Sequence, residues 1–246
     1  MASNRTRFSF KNVIAKLPRG APISANTLYG FGFGRSHPAW LSRHGWLIRL
    51  GRDAYLLPGD QLSRAGSLGY LSAKIAGLHL GGSAALAWPE LPPGGVLTLW
   101  SSEPARLPGW FTSEFPARLQ TTRIFDSKLG VARGLLTRYG PGGEFRVSGT
   151  ERAMLEYLSD VGRSVTLATA LTRAGSFVAL DEALLDELLS HTQRIKVVRL
   201  AHLLATHASL PWLSVAERHS QRIAGGKRWI AVTRAGERLE LRRPKR

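Results

Sequence analysis

Residues 36–59, SHPAWLSRHGWLIRLGRDAYLLPG, predict one short helix that is followed at once by a tight two-stranded ribbon. Ser36 belongs to the residue types that cap helix N-termini, and Pro38 is tolerated in a first helical turn. Gly45 stands where a left-handed residue would end the helix. This stretch therefore constrains the fold more than any other part of the chain.

The ribbon is predicted from two runs of bulky and branched residues, 46–50 and 54–57. Gly51, Arg52 and Asp53 lie between the two runs and predict a turn with an arginine at its tip. The ribbon would thus present a basic tip to solvent.

Two further helices are predicted upstream of this stretch. The first has apolar side chains at helical spacing, namely Phe10, Val13, Ile14 and Leu17. Pro18 and Gly20 would end it, and Ser24 can cap a second helix that runs to Leu28. Three helices followed by a two-stranded wing are the order of a winged helix-turn-helix, a fold that places its third helix in the major groove of DNA.

The composition indicates a polyanionic partner. Basic residues number 34 and acidic residues 17, which gives a formal net charge of +17 and a sequence pI near 11.3. Nine basic and two acidic residues fall within residues 1–60, a net charge of +7 for that segment. Such a surplus is typical of nucleic-acid-binding domains. A preference of GC-rich coding for arginine is the alternative explanation.

The composition also excludes several kinds of site. The chain has no cysteine, so disulfides, thiolate zinc sites and cysteine nucleophiles are excluded. Its seven histidines show no metal-binding spacing, and we expect neither a metal nor a cofactor. The first ten residues, MASNRTRFSF, lack the apolar segment of a secretory signal. The longest apolar stretch, 68–88, is interrupted by Lys74 and His79, so we expect a cytoplasmic protein that does not bind membranes.

The rest of the chain alternates helical and strand patterns, so the predicted fold class is α+β. Residues 1–60 are predicted to form an N-terminal winged helix-turn-helix. Residues 61–246 are predicted to form a mixed α/β C-terminal domain, with a possible subdivision near 145–150. Strands are predicted at 96–100, 118–125 and 145–147, helices at 83–88, 182–189 and 194–207, and a terminal hairpin at 229–232 and 238–241. Ser148 and Glu151 form a capping-box pattern. It opens a helix whose core face is predicted to be Met154, Leu155, Leu158 and Val161.

Gly81, Gly82 and Ser83 raise the question of an enzyme. Nucleotidyltransferases begin a helix with a similar pattern and follow it with a strand that carries two metal-binding carboxylates. The strand at 96–100 here, VLTLW, carries none. We therefore predict a tight strand-to-helix turn and no catalytic residues.

The chain resembles the AbiEi antitoxins, transcriptional regulators of type IV toxin–antitoxin systems. The resemblance is carried by HGWLIRLGRDAYLLPGD (44–60), HLGGSAALAW (79–88), FRVSGTERAMLEYL (145–158), IKVVRLAHLLATHASLPW (195–212) and AGGKRWIAV (224–232). It extends over nearly the whole chain, with these segments in the family's order. One departure lies in the wing, where Asp53 and Ala54 stand at the family's glycine before the wing tyrosine.

This resemblance implies several expectations about function. The N-terminal domain would bind inverted repeats in the promoter of the protein's own operon and repress it. The C-terminal domain would neutralise a nucleotidyltransferase-like toxin, with direct contact between toxin and antitoxin left open. The protein would be a monomer in solution that pairs cooperatively on DNA, or a weak dimer, and no enzyme.

The DNA-binding residues are predicted from the helix at 36–43 and the wing: Arg35, Ser36, His37, Trp40, Arg43, Arg49 and Arg52. Arg43 faces outward in either of two plausible helix orientations, so we predict that it contacts a guanine base. Trp40 faces outward in one orientation and inward in the other. We predict that Arg35 and Ser36 contact a phosphate. Arg49 and Arg52 would contact the flanking backbone or the minor groove, and His37 would contact either a base or the backbone. A solvated surface is the alternative for all of them. Trp46, Leu47 and Tyr55 are predicted to be core.

A second basic surface is predicted near the C-terminus, from Lys196, Arg199, His202, Arg222, Lys227 and Arg228. The first three recur every third residue on one predicted helix. We assign this surface to antitoxicity or to a second nucleic-acid contact. The alternative is an ordinary solvated helix face.

Three rival functions remain at this point. The first is a regulator or nucleic-acid-binding protein with no toxin partner. The second is an enzyme acting on nucleic acid, against which the missing carboxylates count. The third is a repressor that senses a small molecule, because an effector pocket cannot be recognised from sequence.

Overall fold

The N-terminal unit has the topology of a winged helix. The structure, a computed structural model, describes residues 10–223, 226, 228–233, 236 and 238–244. The first elements are α1 (Phe10–Ile14), α2 (Ala25–Gly30), α3 (His37–Arg43), β1 (Ile48–Gly51) and β2 (Ala54–Leu56). β1 and β2 pair antiparallel, and Ile23 bridges to Tyr55 on the free side of β2 through two backbone hydrogen bonds. This confirms the predicted fold class.

A single apolar cluster holds the three helices and the wing together. Its buried members come from the three helices, from β2 and from the segments between the elements, and are Phe10, Val13, Leu17, Ile23, Leu28, Phe33, Leu41, Leu47, Tyr55 and Leu57. Pro38 and Leu41 are the buried residues of α3. Because α3 turns 100° per residue, Trp40 and Arg43 then face solvent, which decides between the two orientations left open by the sequence.

The two ends of α3 differ from each other in how well the sequence predicts them. Gly45 has φ +75°, and the N–H of Trp46 donates to the carbonyl of Leu41 at 2.9 Å, which is the predicted left-handed helix end. Ser36 does not cap the helix, contrary to the prediction. Its backbone is already helical, with φ −80° and ψ −17°, whereas a capping side chain requires an extended backbone.

The wing turn is one residue shorter than predicted. Gly51 pairs with Ala54 inside the ribbon, so only Arg52 and Asp53 form the turn. Asp53 takes the left-handed conformation, with φ +57°. Aspartate tolerates this conformation better than most residues, because its short polar side chain can hydrogen-bond locally.

A mixed five-stranded sheet forms the centre of the next unit. Its elements are α4 (Arg64–Ser72), β3 (His79–Leu80), α5 (Gly82–Leu86), β4 (Leu97–Trp100), α6 (Gly109–Glu114), β5 (Ala117–Gln120), β6 (Leu135–Gly140) and β7 (Gly143–Ser148). The strand order is β5-β4-β3-β7-β6, with β3–β7 and β4–β5 parallel and the other pairs antiparallel. β6 was not predicted, and β5 ends well before the predicted limit at residue 125.

A helical layer and a hairpin complete the chain. Its elements are α7 (Thr150–Ser159), α8 (Leu167–Thr172), a 3₁₀ turn (Ala174–Phe177), α9 (Glu182–Ser190), α10 (Ile195–His207), α11 (Leu213–Arg222), β8 (Arg228–Val232) and β9 (Arg238–Arg242). The largest apolar cluster lies among α7, α9, α10 and α11. At its centre Trp212 is fully buried and donates its Nε1–H to the carbonyl of Phe177 at 2.7 Å.

Two local predictions in this part of the chain and the wing are wrong. Ser148 and Glu151 form no capping box, because α7 is capped at Gly149 with no side-chain hydrogen bond. Ser148 donates instead to Glu156, and Glu151 accepts the backbone N–H of Asp181. Trp46 was predicted to be core, but 37% of it is exposed. Its indole packs edge-to-face against the ring of Phe10 at the margin of the apolar cluster.

In the part of the chain that the structure describes, no helix is both long and apolar enough to cross a membrane.

Candidate nucleic-acid interface

The outer face of α3 presents an arginine and an aromatic pair to solvent. Arg43 is exposed in the last turn of the helix. Trp40, one turn earlier, is 45% exposed, and its indole stacks on the imidazole of His44 with the ring centroids 4.1 Å apart. The Nδ1 of His44 lies 2.8 Å from the carbonyl of Trp40, so this stacked pair is held at a fixed place beside Arg43.

His37 fixes the start of α3, and the two residues before it are exposed. The backbone N–H of Gly34 donates to Nδ1 of His37 at 3.0 Å, and the imidazole packs against the ring of Phe33. Arg35 and Ser36 are both exposed in the turn just before the helix. Their positions suit contact with a phosphate, whereas one ring nitrogen of His37 is already used.

The wing places two more arginines beside α3. Arg49 is exposed on β1, with its Nε 3.4 Å from the carbonyl of Gly51, and Arg52 is exposed in the turn. The predicted site residues from 35 to 52 thus all reach solvent from adjacent elements of one domain. Their contact with DNA remains a prediction.

The arginines of the α3 face and of the wing are not neutralised by carboxylates. Among the described residues, Arg35, Arg43, Arg49 and Arg52 form no ion pair with a carboxylate, in contrast to several arginines elsewhere in the chain. Asp53 and Asp60 are the acidic residues of this unit, and both are bound elsewhere. Asp60 pairs with Arg19, and Asp53 pairs with Lys74. The α3 face and wing tip therefore keep their positive charge for an anionic partner.

The structure adds one basic residue that sequence reasoning missed. Arg106 is exposed and lines, together with Arg52 and Lys74, a cleft of about 520 Å³ between the wing and the loop before α6. Trp110 of α6 lies against Gly51 in the same cleft. Arg106 follows the wing tip by more than fifty residues in a proline-rich loop, so no sequence pattern connects the two.

The predicted C-terminal basic stripe is not a single exposed surface. Arg199 is 1% exposed and donates from Nη1 to the carbonyl of Leu241 at 3.0 Å and from Nη2 to the carbonyl of Gly226. It fastens the C-terminal hairpin to α10. The interpretation of Arg199 as a surface contact is therefore wrong, because the hairpin, which is distant in sequence, covers this side of α10.

The other members of the predicted stripe have different surroundings. Lys196 is partly buried and donates from Nζ to the carbonyls of Ser159 at 2.6 Å and Val161 at 3.0 Å. Burial lowers the pKa of Lys196 to about 8, with a further contribution from nearby arginines. Burial also lowers the pKa of His202. Neither residue is a freely solvated cation.

Arg222 at the end of α11 and Arg228 at the start of β8 are exposed, as a surface role requires. Lys227, predicted as part of the same surface, lies outside the described residues. The reduced basic patch, Arg222 and Arg228, sits on the last helix and on the hairpin that follows it.

The glycine pair at 81–82 forms the strand-to-helix turn that the sequence predicts. A Cβ atom on Gly81 would lie 2.2 Å from Oε2 of Glu156 and 2.5 Å from the indole of Trp100, so any side chain here would clash. Gly82 has φ +54° and donates its N–H to Glu156 at 3.1 Å. Close packing accounts for Gly81, and the left-handed backbone accounts for Gly82. Among the described residues no group of three metal-binding side chains is present.

Comparison with known proteins assigns the family. A model described as "Transcriptional regulator, AbiEi antitoxin N-terminal domain" matches residues 6–92, and one described as "Transcriptional regulator, AbiEi antitoxin, Type IV TA system" matches residues 95–241. The chain belongs to the AbiEi antitoxins. These are transcriptional regulators of type IV toxin–antitoxin systems, which confirms the family resemblance of the sequence.

Structural similarity supports the fold alone. The crystal structure of the RV2827C protein from Mycobacterium tuberculosis matches with a TM-score of 0.53 and 17% sequence identity, covering 88% of this chain and 82% of that one. The search of curated proteins returned no match.

The two AbiEi family models meet between residues 92 and 95, within the loop that precedes β4, and not at the predicted boundary at residue 60.

Proposed function

We propose that this AbiEi antitoxin binds double-stranded DNA at inverted repeats in its own promoter, through the outer face of α3 and the wing, and thereby represses its operon. The observation that carries the proposal is the group of exposed, unpaired arginines on adjacent elements of a winged helix. The seven residues of α3 span about 10 Å, a length that fits a major groove about 12 Å wide.

Each exposed residue has a distinct proposed role. Arg43, in the last turn of α3, would donate two hydrogen bonds to a guanine. Arg35 and Ser36 would bind the phosphate at the helix start. Arg49 and Arg52 would bind the backbone or enter the minor groove beside the wing, and Arg106, in the cleft next to Arg52, extends that contact. His37 and Trp40 would line the groove.

The DNA-binding unit is proposed to comprise residues 1–60 and the antitoxin domain residues 61–246. The apolar cluster of the winged helix draws its buried members from residues 10–57, which supports this boundary. Asp60 closes the unit by binding the side chain of Arg19 and the backbone N–H of Gly20. A subdivision near 145–150 is supported by the change from sheet to helices at α7.

The C-terminal domain is proposed to neutralise a nucleotidyltransferase-like toxin, with Arg222 and Arg228 on its contact surface if neutralisation is direct. Two copies would assemble on the two half-sites, from a monomer or a weak dimer in solution. The alternative is a winged-helix regulator without a toxin partner, and the presence of a downstream nucleotidyltransferase-like gene distinguishes the two.

Two readouts of the same variants test the proposal. A reporter driven by the protein's own promoter measures repression, and survival during co-expression with the downstream nucleotidyltransferase-like protein measures neutralisation. We expect Arg43→Ala to lose repression and keep neutralisation, and Arg222→Ala with Arg228→Ala to show the reverse. Full repression by Arg43→Ala would refute the DNA-binding role of α3, and a wild-type chain that never rescues growth would support the alternative.

A further inference from the structure

A cleft in the antitoxin domain combines aromatic walls with a charged floor. It has a volume of about 270 Å³ and lies between β3, β4 and the segment 122–131. The rings of Trp100 and Phe125 line it, and Arg152 of α7 lies beneath with its guanidinium 5.1 Å from the centre of the Phe125 ring.

The floor of the cleft contains a fully buried carboxylate with four donors. Oε1 of Glu156 accepts from Nε of Arg152 at 3.0 Å and faces Nε2 of His79 at 3.0 Å, while Oε2 accepts from Ser148 at 2.8 Å and from the N–H of Gly82 at 3.1 Å. Burial by itself would raise the pKa of Glu156, but the charges and hydrogen bonds of His79 and Arg152 hold it below its ordinary value. Glu156 is therefore the anion of this cluster.

His79 lies between two hydrogen-bond acceptors. Its Nδ1 lies 2.9 Å from the carbonyl of Gly77, and its Nε2 faces the carboxylate of Glu156. Both partners are hydrogen-bond acceptors, so each ring nitrogen of His79 faces an acceptor. The guanidinium of Arg152 and the imidazole of His79 thus share the carboxylate of Glu156.

The other carboxylate of the cleft, Asp126, has hydrogen-bond partners of its own. Oδ1 of Asp126 accepts the backbone N–H groups of Lys128 at 2.9 Å and Leu129 at 3.2 Å, and it faces Nδ1 of His191 at 2.9 Å. Arg123 adds a further exposed cation to the lining of the cleft. Arg123, which forms no ion pair among the described residues, therefore attracts anions to this cleft.

Arg152 retains donor capacity toward that anion. Its Nε is bound to Glu156, and its Nη1 donates to the carbonyls of Arg133 at 2.7 Å and Val131 at 3.2 Å. Its Nη2 has no acceptor among the described residues. A guanidinium that is fixed by three bonds and stacked on a ring offers a positioned donor to a planar anion.

We propose that this cleft binds a small aromatic carboxylate, with the ring between Trp100 and Phe125 and the carboxylate on Nη2 of Arg152. The volume equals roughly nine water molecules at liquid density, which suits a single- or double-ring carboxylate. The ligand would bridge α7 and the segment 122–131. This site is independent of the proposed DNA contact, because none of its residues belongs to the winged helix.

Calorimetric titration of the full chain with benzoate and indole-3-acetate tests the site, with uncharged benzamide as the matched probe. We expect saturable binding of at least one carboxylate and binding of benzamide that is about tenfold weaker or absent. Arg152→Lys should weaken carboxylate binding about tenfold, while Arg173→Lys, which alters a second arginine stacked on a ring, should leave it unchanged.

A second variant keeps the test decisive if Arg152→Lys unfolds. Arg123→Glu reverses an exposed charge at the cleft and should weaken carboxylate binding about fivefold, while Arg138→Glu on the exposed face of β6 should have no effect. Absence of saturable carboxylate binding up to about 10 mM would overturn the proposal. Equal affinity of the wild type and Arg123→Glu would also overturn it.

Discussion

The carboxylate of Asp53 in the wing turn accepts the backbone N–H of Ala25, the first residue of α2, at 2.7 Å. The same carboxylate pairs with Lys74 of the segment after α4, and the hydroxyl of Tyr70 donates to the backbone carbonyl of Asp53. One residue of the wing is thus fixed to both the helix-turn-helix and the sheet domain. The wing tip is positioned before any DNA arrives.

Asp53→Ala should therefore destabilise the chain by about 2 kcal/mol. The substitution removes the acceptor of the Ala25 N–H and leaves a β-carbon in a left-handed conformation without compensation. Asp53→Asn keeps the acceptor and tolerates this conformation, and it loses only a half-exposed ion pair, so it should cost less than about 1 kcal/mol. Urea unfolding measures both variants, and equal losses would contradict the role of the Ala25 hydrogen bond.

Glu156→Gln should be among the most destabilising single substitutions in the chain, by about 3–5 kcal/mol. The amide leaves the buried guanidinium of Arg152 without a counter-charge and turns one acceptor of the cluster into a donor. Glu187→Gln is the matched control, because Glu187 pairs with Arg133 at an exposed position, and it should cost less than about 1 kcal/mol. Similar unfolding midpoints for the two variants would contradict the account of the buried cluster.

The same carboxylate predicts acid sensitivity. The pKa of Glu156 is held below its ordinary value of 4.5 in the folded protein, so the unfolded chain binds its proton more readily. The stability that Glu156 contributes is fully present above pH 4.5 and is lost as the pH falls through the folded pKa. The difference in unfolding free energy between wild type and Glu156→Gln should therefore shrink on acidification below pH 4.5. A difference that stays constant or grows would contradict this assignment.

Arg199→Met should loosen the C-terminal hairpin and destabilise the chain by about 2–4 kcal/mol. The substitution leaves the carbonyls of Leu241 and Gly226 without their donor. Arg222→Met, at an exposed position, should change stability by no more than about 0.5 kcal/mol. Hydrogen exchange of β9 amides separates the two variants. Unchanged protection of β9 in Arg199→Met would show that Arg199 does not hold the hairpin.

Local sequence patterns predicted those features of the fold that depend on backbone conformation alone. Gly45 ends α3 in the left-handed conformation, and Ser24, with an extended backbone at ψ 156°, accepts the N–H of Thr27 and caps α2. Ser36 has the same side chain but a helical backbone at ψ −17°, so it cannot cap. The residue type therefore predicted a helix cap only where the backbone before the helix has the extended dihedral angles that capping requires.

Long-range packing explains the features that the sequence did not predict. Ser148 fits a capping box, but the buried carboxylate of Glu156 is the partner it contacts. Arg199 lies at helical spacing from Lys196, yet the hairpin formed by residues 228–242 covers it. Arg106 reaches the wing only through the fold of the sheet domain. Each of these partners is distant along the chain or depends on burial, which periodicity does not reveal.

The proposed function requires that α3 reads bases and that the wing binds the DNA backbone. Fluorescence anisotropy with DNA from upstream of the gene and with unrelated DNA, over a series of salt concentrations, tests it most directly. Arg43→Ala should reduce the preference for the upstream DNA by the equivalent of about 1–3 kcal/mol. Arg52→Ala should weaken binding to both DNAs alike and reduce the slope of log K against log salt by about 1, with Arg222→Ala unchanged as the control. Affinity that is insensitive to salt, or wild-type binding by both Arg43→Ala and Arg52→Ala, would contradict the claim.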